Sequence, residues 1–471
     1  MKRAVALDVL RGISIFGMVL SAYIPFGVLP AWMYHGQTPP PTNVFNPDIP
    51  GITWVDLVLP VFIFCMGVAI PLALNKRIEY GEKYFKIILN VIERYFMLVI
   101  FAIYIAHIQS SAIPNSFWSI NFLGFESKGY DLNIISIIGF LLLFPIYTII
   151  KNPKQKIIWR IVGWIGIISL MLILNYIYKF EFSLHRRNII ILLLANVYLF
   201  GAVSWYITRN STINRLILLG IWGAVQITCK YTHFDLQLNQ ISGISWIFIF
   251  RMTHYMLLLI PATLIGDILY TRMKSGKNYD DLIPNNKWKN TLFIGLAMFG
   301  IWLIIALYNR WLLSIYLSTP VVLYAFYVII KKYFPAYISI FKIAAAMIII
   351  GIILEPVEGG IKKDPVTASY LLITGGISIL WLCFIEFVSF KYTQSRFVKL
   401  FSGAGSNPLM AYVATTWFII PLMNISFIII PYNLLYPNGY HWIGVLRAII
   451  LVLLVMSLVA WASRKKLIWR A

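Results

Sequence analysis

The sequence predicts an all-α integral membrane protein, a polytopic bundle of roughly 10–14 transmembrane helices with both termini in the cytoplasm. Of its 471 residues, 60% are hydrophobic and only 12% are charged. A water-soluble fold cannot bury that much apolar surface, whereas repeated apolar runs of about 20 residues match the thickness of a bilayer. The runs lack the alternation of a transmembrane β-barrel. We therefore expect a single transmembrane domain over residues 1–471.

Fourteen apolar segments are candidate spans. The first follows MKR and contains Asp8 and Arg11, so we expect a retained helix rather than a removed signal peptide. The segments near 216–232 and 340–356 are short, which favours re-entrant or strongly distorted helices there. The segments lie near residues 7–28, 54–74, 87–108, 131–150, 157–177, 188–208, 216–232, 246–270, 290–308, 312–330, 340–356, 369–390, 408–430 and 441–462.

The basic residues predict the orientation. With an inside N-terminus and alternating sides, the inner flanks hold 28 Lys and Arg and the outer loops hold 7. This bias supports both termini inside and an even number of spans. The basic residues behind the net charge of +22 are distributed between the apolar runs, as topology signals are, so we expect no nucleic-acid partner. The expected location is the inner membrane of a bacterium, with the loop around residues 31–57 on the periplasmic side.

Cysteine and histidine spacing indicates no metal site and no disulfide framework. Cys65, Cys229 and Cys383 each fall inside an apolar run and are expected to be buried free thiols. The six histidines have no metal-ligand spacing, and no phosphate-binding or dinucleotide fingerprint is present. We therefore expect no metal cofactor.

Several ionisable residues in or near the apolar runs have both a structural and a functional interpretation. Asp8 suits a helix N-terminus and Arg11 an inner flank, but both could bind a ligand. Arg94 could pair with a buried carboxylate or bind an anion. In ITWVDL, Thr53 and Asp56 have the spacing of a capping box, so a structural cap is the first interpretation of Asp56.

The stretch AWMYHGQTPPPTNVFNPDIPGITWVDL, residues 31–57, carries the histidine of most interest. His35 lies beside Trp32 and Tyr34, which is typical of the aromatic belt at a membrane interface. A neutral imidazole can also act as a base, because it titrates near neutral pH. Spacing alone leaves both interpretations open.

The motifs flanking this loop are informative together. LDVLRGISIFGMVL precedes it, and PGITWVDLVLPVFIFCMGVAIPLAL overlaps its end. This arrangement resembles the heparan-α-glucosaminide N-acetyltransferase family, polytopic enzymes related to the broader transmembrane acyltransferases, and favours a bacterial subgroup. The strongest similarity covers residues 5–80. Weaker similarity lies within 359–412, in KKDPVTASY and GSNPLMAY.

Two positions depart from that family. Ala22 stands where the family has a functional Asn near the outer end of the first helix. Fifteen residues separate His35 from Gly51, which is more than the family pattern has. These departures imply a different acceptor, a relocated helper group or lost activity.

The resemblance implies a reaction and a set of residues. The family moves an acetyl group from cytoplasmic acetyl-CoA to a sugar amine on the opposite side of the membrane. It implies His35 as the general base, with an acetyl-His intermediate as the alternative. It also implies Asn407 and Lys363 as donors to the thioester oxygen.

Two further groups of residues are expected around the substrates. The CoA phosphates need a basic inner vestibule, and the sugar ring needs apolar faces, although Trp32 could simply anchor the loop at the interface. The candidates for the CoA site are Asp8, Arg11, Lys76, Arg77 and Arg94. Those for the acceptor site are Trp32, Tyr34 and Asp56.

Two other functions remain possible from the sequence. The first is a transporter of a glycan, a lipid-linked intermediate or an organic anion, with Arg94, Lys230, Arg251 and Glu386 along its path. The second is a scaffolding membrane protein that has lost its chemistry. The expected partners are membrane lipids and a glycan or amino-sugar acceptor, and a homodimer is left open.

Overall fold

The structure is a computed structural model that describes residues 4–122, 125–150, 152–232, 234, 237, 243–276, 279–436 and 439–470. Within these ranges, 14 spans are long and apolar enough to cross a membrane. The sheet found there is a hairpin of β1 (Ser119–Phe122) and β2 (Phe125–Lys128), paired antiparallel. The predicted all-α polytopic membrane bundle is confirmed, and the chain is an integral membrane protein.

The first eight spans occupy the chain up to residue 274. The fourth is divided into α4 and α5, and the eighth begins with a 3₁₀ turn, Phe250–Tyr255, before α9. The helices are α1 (Val5–Tyr23), α2 (Trp54–Glu79), α3 (Tyr84–His107), α4 (Tyr130–Leu141), α5 (Leu143–Tyr147), α6 (Pro153–Tyr176), α7 (Ile189–Thr208), α8 (Thr212–Thr232) and α9 (Met256–Lys274).

The remaining six spans follow the short helix α10. The thirteenth span combines α16, a π-helix over Thr415–Ile419, and α17. The helices are α10 (Tyr279–Leu282), α11 (Lys289–Tyr308), α12 (Leu312–Tyr333), α13 (Ile338–Val357), α14 (Ala368–Lys391), α15 (Arg396–Gly405), α16 (Pro408–Ala414), α17 (Ile420–Ile425), α18 (Ile429–Leu434) and α19 (His441–Arg464).

The expected distortion of the two short apolar segments is wrong. Residues 216–232 lie in the continuous helix α8, and 340–356 lie in the continuous helix α13. Both helices extend beyond their apolar runs, so hydropathy alone underestimated their length. Among the described residues, the spans that combine more than one helical element are the fourth, the eighth, the eleventh and the thirteenth; the eleventh begins with the 3₁₀ turn Pro335–Tyr337 before α13.

The centre of the bundle is formed by α1, α2, α9 and α14, and the spans containing α9 and α14 are the most buried. Small residues allow α1 to approach α15 closely. A Cβ atom added to Gly405 would lie 1.9 Å from the carbonyl oxygen of Asp8, and one on Gly12 would lie 2.2 Å from that of Phe401. Such backbone approach is common where helices associate in membranes.

Contacts between loops agree with the alternation of sides. Gly51, before α2, donates its backbone N–H to the carbonyl of Ile361, before α14, at 2.8 Å. At the other face, Lys274 at the end of α9 lies 2.6 Å from Glu79 at the end of α2. The loop containing His35 therefore lies on the same face as the segment before α14. The three cysteines are buried, as expected.

Candidate functional site

The loop between α1 and α2 is folded onto the helices rather than extended. Tyr34 is 4% exposed, and its hydroxyl accepts the backbone N–H groups of Val28 and Leu29 at 3.0 and 2.8 Å. The same hydroxyl donates to the carbonyl of Pro25 at 2.8 Å. The backbone carbonyl of Tyr34 accepts the Thr53 hydroxyl at 2.6 Å. These bonds fix the position of the next residue, His35.

His35 is oriented by a buried carboxylate. Its Nδ1 lies 2.8 Å from Asp56 Oδ1, and the Asp56 side chain is only 3% exposed. Asp56 Oδ2 accepts the backbone N–H groups of Gly36 and Thr53 at 2.9 and 3.0 Å. The bond to Thr53 is the one expected of a capping box, so the structural prediction for Asp56 is confirmed. The same carboxylate also favours the imidazole tautomer with its proton on Nδ1.

Lys363 completes a cluster of three functional groups. Its Nζ lies 3.0 Å from His35 Nδ1, 3.4 Å from His35 Nε2 and 3.7 Å from Asp56 Oδ1. The hydrogen-bonding directions of the two ring nitrogens diverge. An ammonium at similar distances from both nitrogens therefore cannot lie on both of these axes. Burial lowers the pKa of Lys363 below its ordinary value, and the carboxylates of Asp56 and Asp364 oppose this shift.

Lys363 reaches His35 because two distant loops are joined by hydrogen bonds. The buried amide of Gln37 donates to the Asp364 carbonyl at 2.5 Å and accepts the Asp364 N–H at 3.0 Å. Glu355 also accepts the N–H of Ile361 and pairs with Arg310. The segment before α14 is therefore held at both sides of Lys363.

His35 and Lys363 border a cavity of about 340 Å³. This volume is at the lower end of the range for small-molecule sites. The walls come from the outer parts of α1 and α2, the start of α7, and the region where α16 becomes a π-helix. The lining residues are Met18, Val19, Ser21, Ala22, Tyr23, His35, Val55, Val58, Leu59, Ile190, Lys363, Tyr412, Thr415, Thr416 and Trp417.

The arrangement can move a proton at the edge of this cavity. With Nδ1–H donated to Asp56, the ring lone pair lies on His35 Nε2, which can accept a proton. The buried carboxylate stabilises the imidazolium that results, and 44% exposure of the His35 side chain leaves it accessible to a substrate. A cation from Lys363 beside the ring can stabilise an anionic oxygen.

Residues 3–269 match the model of a family described as a domain of unknown function, DUF5009. The chain belongs to the DUF5009 family. No curated protein matches the chain. The matched part of this DUF5009 protein contains His35 and Asp56, whereas Lys363 and the π-helix lie beyond it. The histidine–aspartate pair thus lies within the matched segment.

Ala22 lines the cavity, on the wall formed by α1. The sequence comparison placed the missing functional Asn at this position. The structure therefore puts the departure from the glucosaminide family inside the candidate site. Alanine has no polar side-chain group, so another residue of this chain must supply any polar group that the chemistry requires at this place.

Asn407 does not lie with His35, which corrects the predicted pair of oxygen donors. Its amide donates to the Leu467 carbonyl at 2.9 Å and accepts the Trp469 N–H at 3.1 Å. Gly405, two residues earlier, packs against Asp8 at the inner end of α1. Ala22 lies 14 residues further along α1, about 21 Å at 1.5 Å per residue. Asn407 instead anchors the C-terminal segment.

Asp8 and Arg11 also lie below the cavity rather than in it. Arg11 pairs with Asp8 at 3.4 Å and donates to the carbonyl groups of Gly405 and Cys65 at 3.2 and 3.4 Å. The guanidinium therefore joins α1, α2 and α15. These contacts favour the structural interpretation of the pair over phosphate binding.

The other three basic candidates for a CoA vestibule are more accessible. Arg94 is exposed and lies over the ring of Tyr198, with 4.3 Å to the ring centre. Lys76 is exposed, and Arg77 lies 3.6 Å from Glu82. None of the five basic or acidic residues predicted for CoA lines the outer cavity.

The predicted acceptor residues divide into three cases. Trp32 is 48% exposed and its ring centre lies 6.2 Å from that of Trp442, as expected of an interfacial anchor. Tyr34 is 4% exposed and its hydroxyl is bonded to the loop backbone, so its ring face is covered in this structure. Asp56 faces His35 rather than the cavity, so it is a positioning residue.

Sequence reasoning missed Gln37 and Thr415. Gln37 lies two residues after His35, in a loop without a recognisable sequence motif, and its hydrogen-bond partner Asp364 is 327 positions away. Thr415 follows the GSNPLMAY motif but has the appearance of an ordinary span residue. Both acquire significance only from tertiary contacts.

Proposed function

We propose that the protein is a membrane-embedded acyltransferase with His35 as its general base. It moves an acetyl group from cytoplasmic acetyl-CoA to an amino sugar or other glycan on the periplasmic side of the bacterial inner membrane. The observation that carries this proposal is the bond between His35 and the buried Asp56 at the edge of a cavity. Basic inner flanks and the family resemblance of the N-terminal motifs support the direction of transfer.

The proposed step balances without a cofactor. His35 Nε2 removes a proton from the acceptor amine while the nitrogen attacks the thioester carbonyl. The new C–N bond forms, the C–S bond breaks, and the imidazolium returns its proton to the departing CoA thiolate. Asp56 holds the ring and stabilises its charged form, and Lys363 supplies positive charge beside the reacting oxygen.

Access from the cytoplasm requires a rearrangement of the inner contacts. Below the cavity, the Ser14 hydroxyl donates to the Val58 carbonyl at 2.6 Å, and Arg11 joins three helices. A route for the thioester along this line requires α1 to separate from α2 or α15. The passage for the thioester is therefore proposed as an open state, which the close packing of this structure does not contain.

The proposal is tested with the purified protein in nanodiscs, radiolabelled acetyl-CoA and a panel of amino sugars and lipid-linked glycans. His35→Gln should lower the turnover rate by at least about 10²-fold, because glutamine cannot accept the proton. The matched control is His441→Gln, which changes another histidine, one that contacts the Tyr436 hydroxyl at 2.9 Å. The control should retain turnover within about twofold.

Two results would contradict the proposal. The first is an unchanged turnover rate in His35→Gln at an unchanged melting temperature. The second is an absence of acetyl transfer by the wild-type protein to every acceptor in the panel, together with substrate flux into proteoliposomes. The second result would favour the transporter. Of its predicted path, Glu386 lies 3.7 Å from Arg272 and accepts the Tyr337 hydroxyl at 2.9 Å, while the side chain of Lys230 lies outside those described.

A further inference from the structure

Two adjacent threonines line the outer cavity but differ in their bonding. Thr416 Oγ1 lies 2.9 Å from the Tyr23 hydroxyl, which satisfies both groups. Thr415 is 1% exposed, and its hydroxyl has no hydrogen-bond partner among the described residues. Burying a hydroxyl without a partner is unfavourable. Because the Thr415 residue lines the cavity, a rotation of its side chain would bring this unpaired hydroxyl to a ligand there.

The bonding of Thr415 differs from that of two other buried threonines in the helices, Thr208 and Thr374. Thr208 and Thr374 donate to carbonyl oxygens four residues earlier, at 2.7 and 2.6 Å. This local bond is the usual solution for a threonine inside an apolar helix. Within the described residues, the buried hydroxyls of Thr148 and Thr319 also have no partner, but neither residue lines the cavity.

The position of Thr415 suits a contact with a small group. Thr415 is the first residue of the π-helix Thr415–Ile419, and such helical irregularities are frequent at functional sites. If the cavity of about 340 Å³ were a sphere, it would be about 9 Å across. With about 3 Å for a hydrogen bond at each wall, one acyl group can contact Thr415 and His35 together.

We propose that Thr415 donates a hydrogen bond to the carbonyl oxygen of the acyl group, in the role that the sequence assigned to Asn407. The inference rests on the proposed acyl transfer and names a substrate-contacting residue for it. As the amine attacks, the carbonyl oxygen gains negative charge and the Thr415 hydroxyl stabilises it without losing its proton. When the intermediate collapses, the oxygen lone pair re-forms the C=O bond and the C–S bond electrons leave with the CoA thiolate, which takes the proton from His35. Ala22, on the wall of the same cavity, has no polar group to contribute.

The test compares Thr415→Val with Thr416→Val, which are the same isosteric change at adjacent lining positions. Thr415→Val should lower kcat by about 10²-fold with little change in KM, because the lost bond strengthens in the transition state. Its melting temperature should not fall, because an unpaired hydroxyl is removed. Thr416→Val removes the bond to the Tyr23 hydroxyl and should lower the melting temperature, and its fall in kcat should be at least about tenfold smaller than that of Thr415→Val. Thr415→Ser should restore most of the lost turnover.

A second measurement uses binding alone. Acetonyl-CoA, a ketone that cannot transfer its acyl group, should bind the wild-type protein more tightly than S-propyl-CoA, which has no carbonyl. Thr415→Val should abolish this difference and Thr416→Val should preserve it.

The outcomes separate the two proposals. If the wild-type protein transfers acetyl groups but Thr415→Val keeps its kcat and its preference for the ketone, the role of Thr415 is wrong and acyl transfer stands. If the wild-type protein neither transfers acetyl groups nor binds acetonyl-CoA, the proposed function fails and the role of Thr415 fails with it.

Discussion

Replacing Asp56 by asparagine tests whether the carboxylate serves catalysis as well as the fold. The new side chain has nearly the same shape, and its carbonyl oxygen can still accept the N–H groups of Gly36 and Thr53. Its NH₂ group then faces His35 Nδ1 and favours the tautomer with the proton on Nε2. In that tautomer the nitrogen nearest a substrate can no longer accept a proton.

The expected loss of turnover follows from the observed distance. Asp56 Oδ1 lies 2.8 Å from His35 Nδ1. With an effective dielectric constant of about 20, a carboxylate and an imidazolium at this distance attract each other by about 6 kcal/mol. Because about 1.4 kcal/mol corresponds to a tenfold change in rate, removing the charge should reduce kcat by about 10⁴-fold. Folding stability should fall by only about 1–2 kcal/mol, because the hydrogen bonds to the backbone remain but lose their charge.

The assay measures acetyl transfer at saturating substrate and the melting temperature of the same preparation in nanodiscs. Asp364→Asn is the matched control, because it removes a second carboxylate that acts on Lys363 at the same face. The control should keep kcat within about fivefold. A turnover rate above about one tenth of the wild-type value in Asp56→Asn would refute the positioning role of Asp56.

Three other variants examine separate features of the site. Because burial lowers the pKa of Lys363, the unfolded chain holds this proton to higher pH than the folded protein. Its contribution to the free energy of unfolding therefore rises with pH from the lowered pKa to the unfolded value near 10.4. Lys363→Met should flatten this rise in a plot of melting temperature against pH, and a profile parallel to the wild type would contradict the shift. Asn407→Ala should cost about 2–4 kcal/mol of stability, because the Leu467 carbonyl and the Trp469 N–H lose their partner. The kcat of the folded fraction should not change. A large fall in kcat would show that Asn407 takes part in the reaction. Ala22→Leu should fill part of the cavity and reduce turnover with an unchanged melting temperature, and wild-type turnover would exclude this wall from the substrate site.

The membrane architecture could be predicted from the sequence because each span carries its own signal. Burying polar backbone in lipid forces helical hydrogen bonding, and the required length of apolar run is visible residue by residue. The predicted capping interaction of Thr53 and Asp56 was likewise local, since its partners are three residues apart. Segments 216–232 and 340–356 were misjudged because the helices α8 and α13 continue through their less apolar ends.

The candidate site was only partly predictable because its members come from distant parts of the chain. Lys363 is 328 positions from His35. Their approach depends on Gln37, whose amide fits the backbone of Asp364. The similar motif around Asn407 predicted a donor of the same kind, but packing of Gly405 against Asp8 holds that segment near the inner end of α1.

By itself, the sequence determined an integral membrane protein of many helices, the sidedness favoured by its basic residues, and His35 as the residue to examine. These properties follow from hydropathy, charge and short motifs, all of which act over neighbouring residues. Only the tertiary structure decided which groups surround His35, that Asp56 orients it, and that the hydroxyl of Thr415 lies unpaired in the same cavity. Those contacts depend on how helices far apart in the chain pack together, and no local pattern encodes that packing.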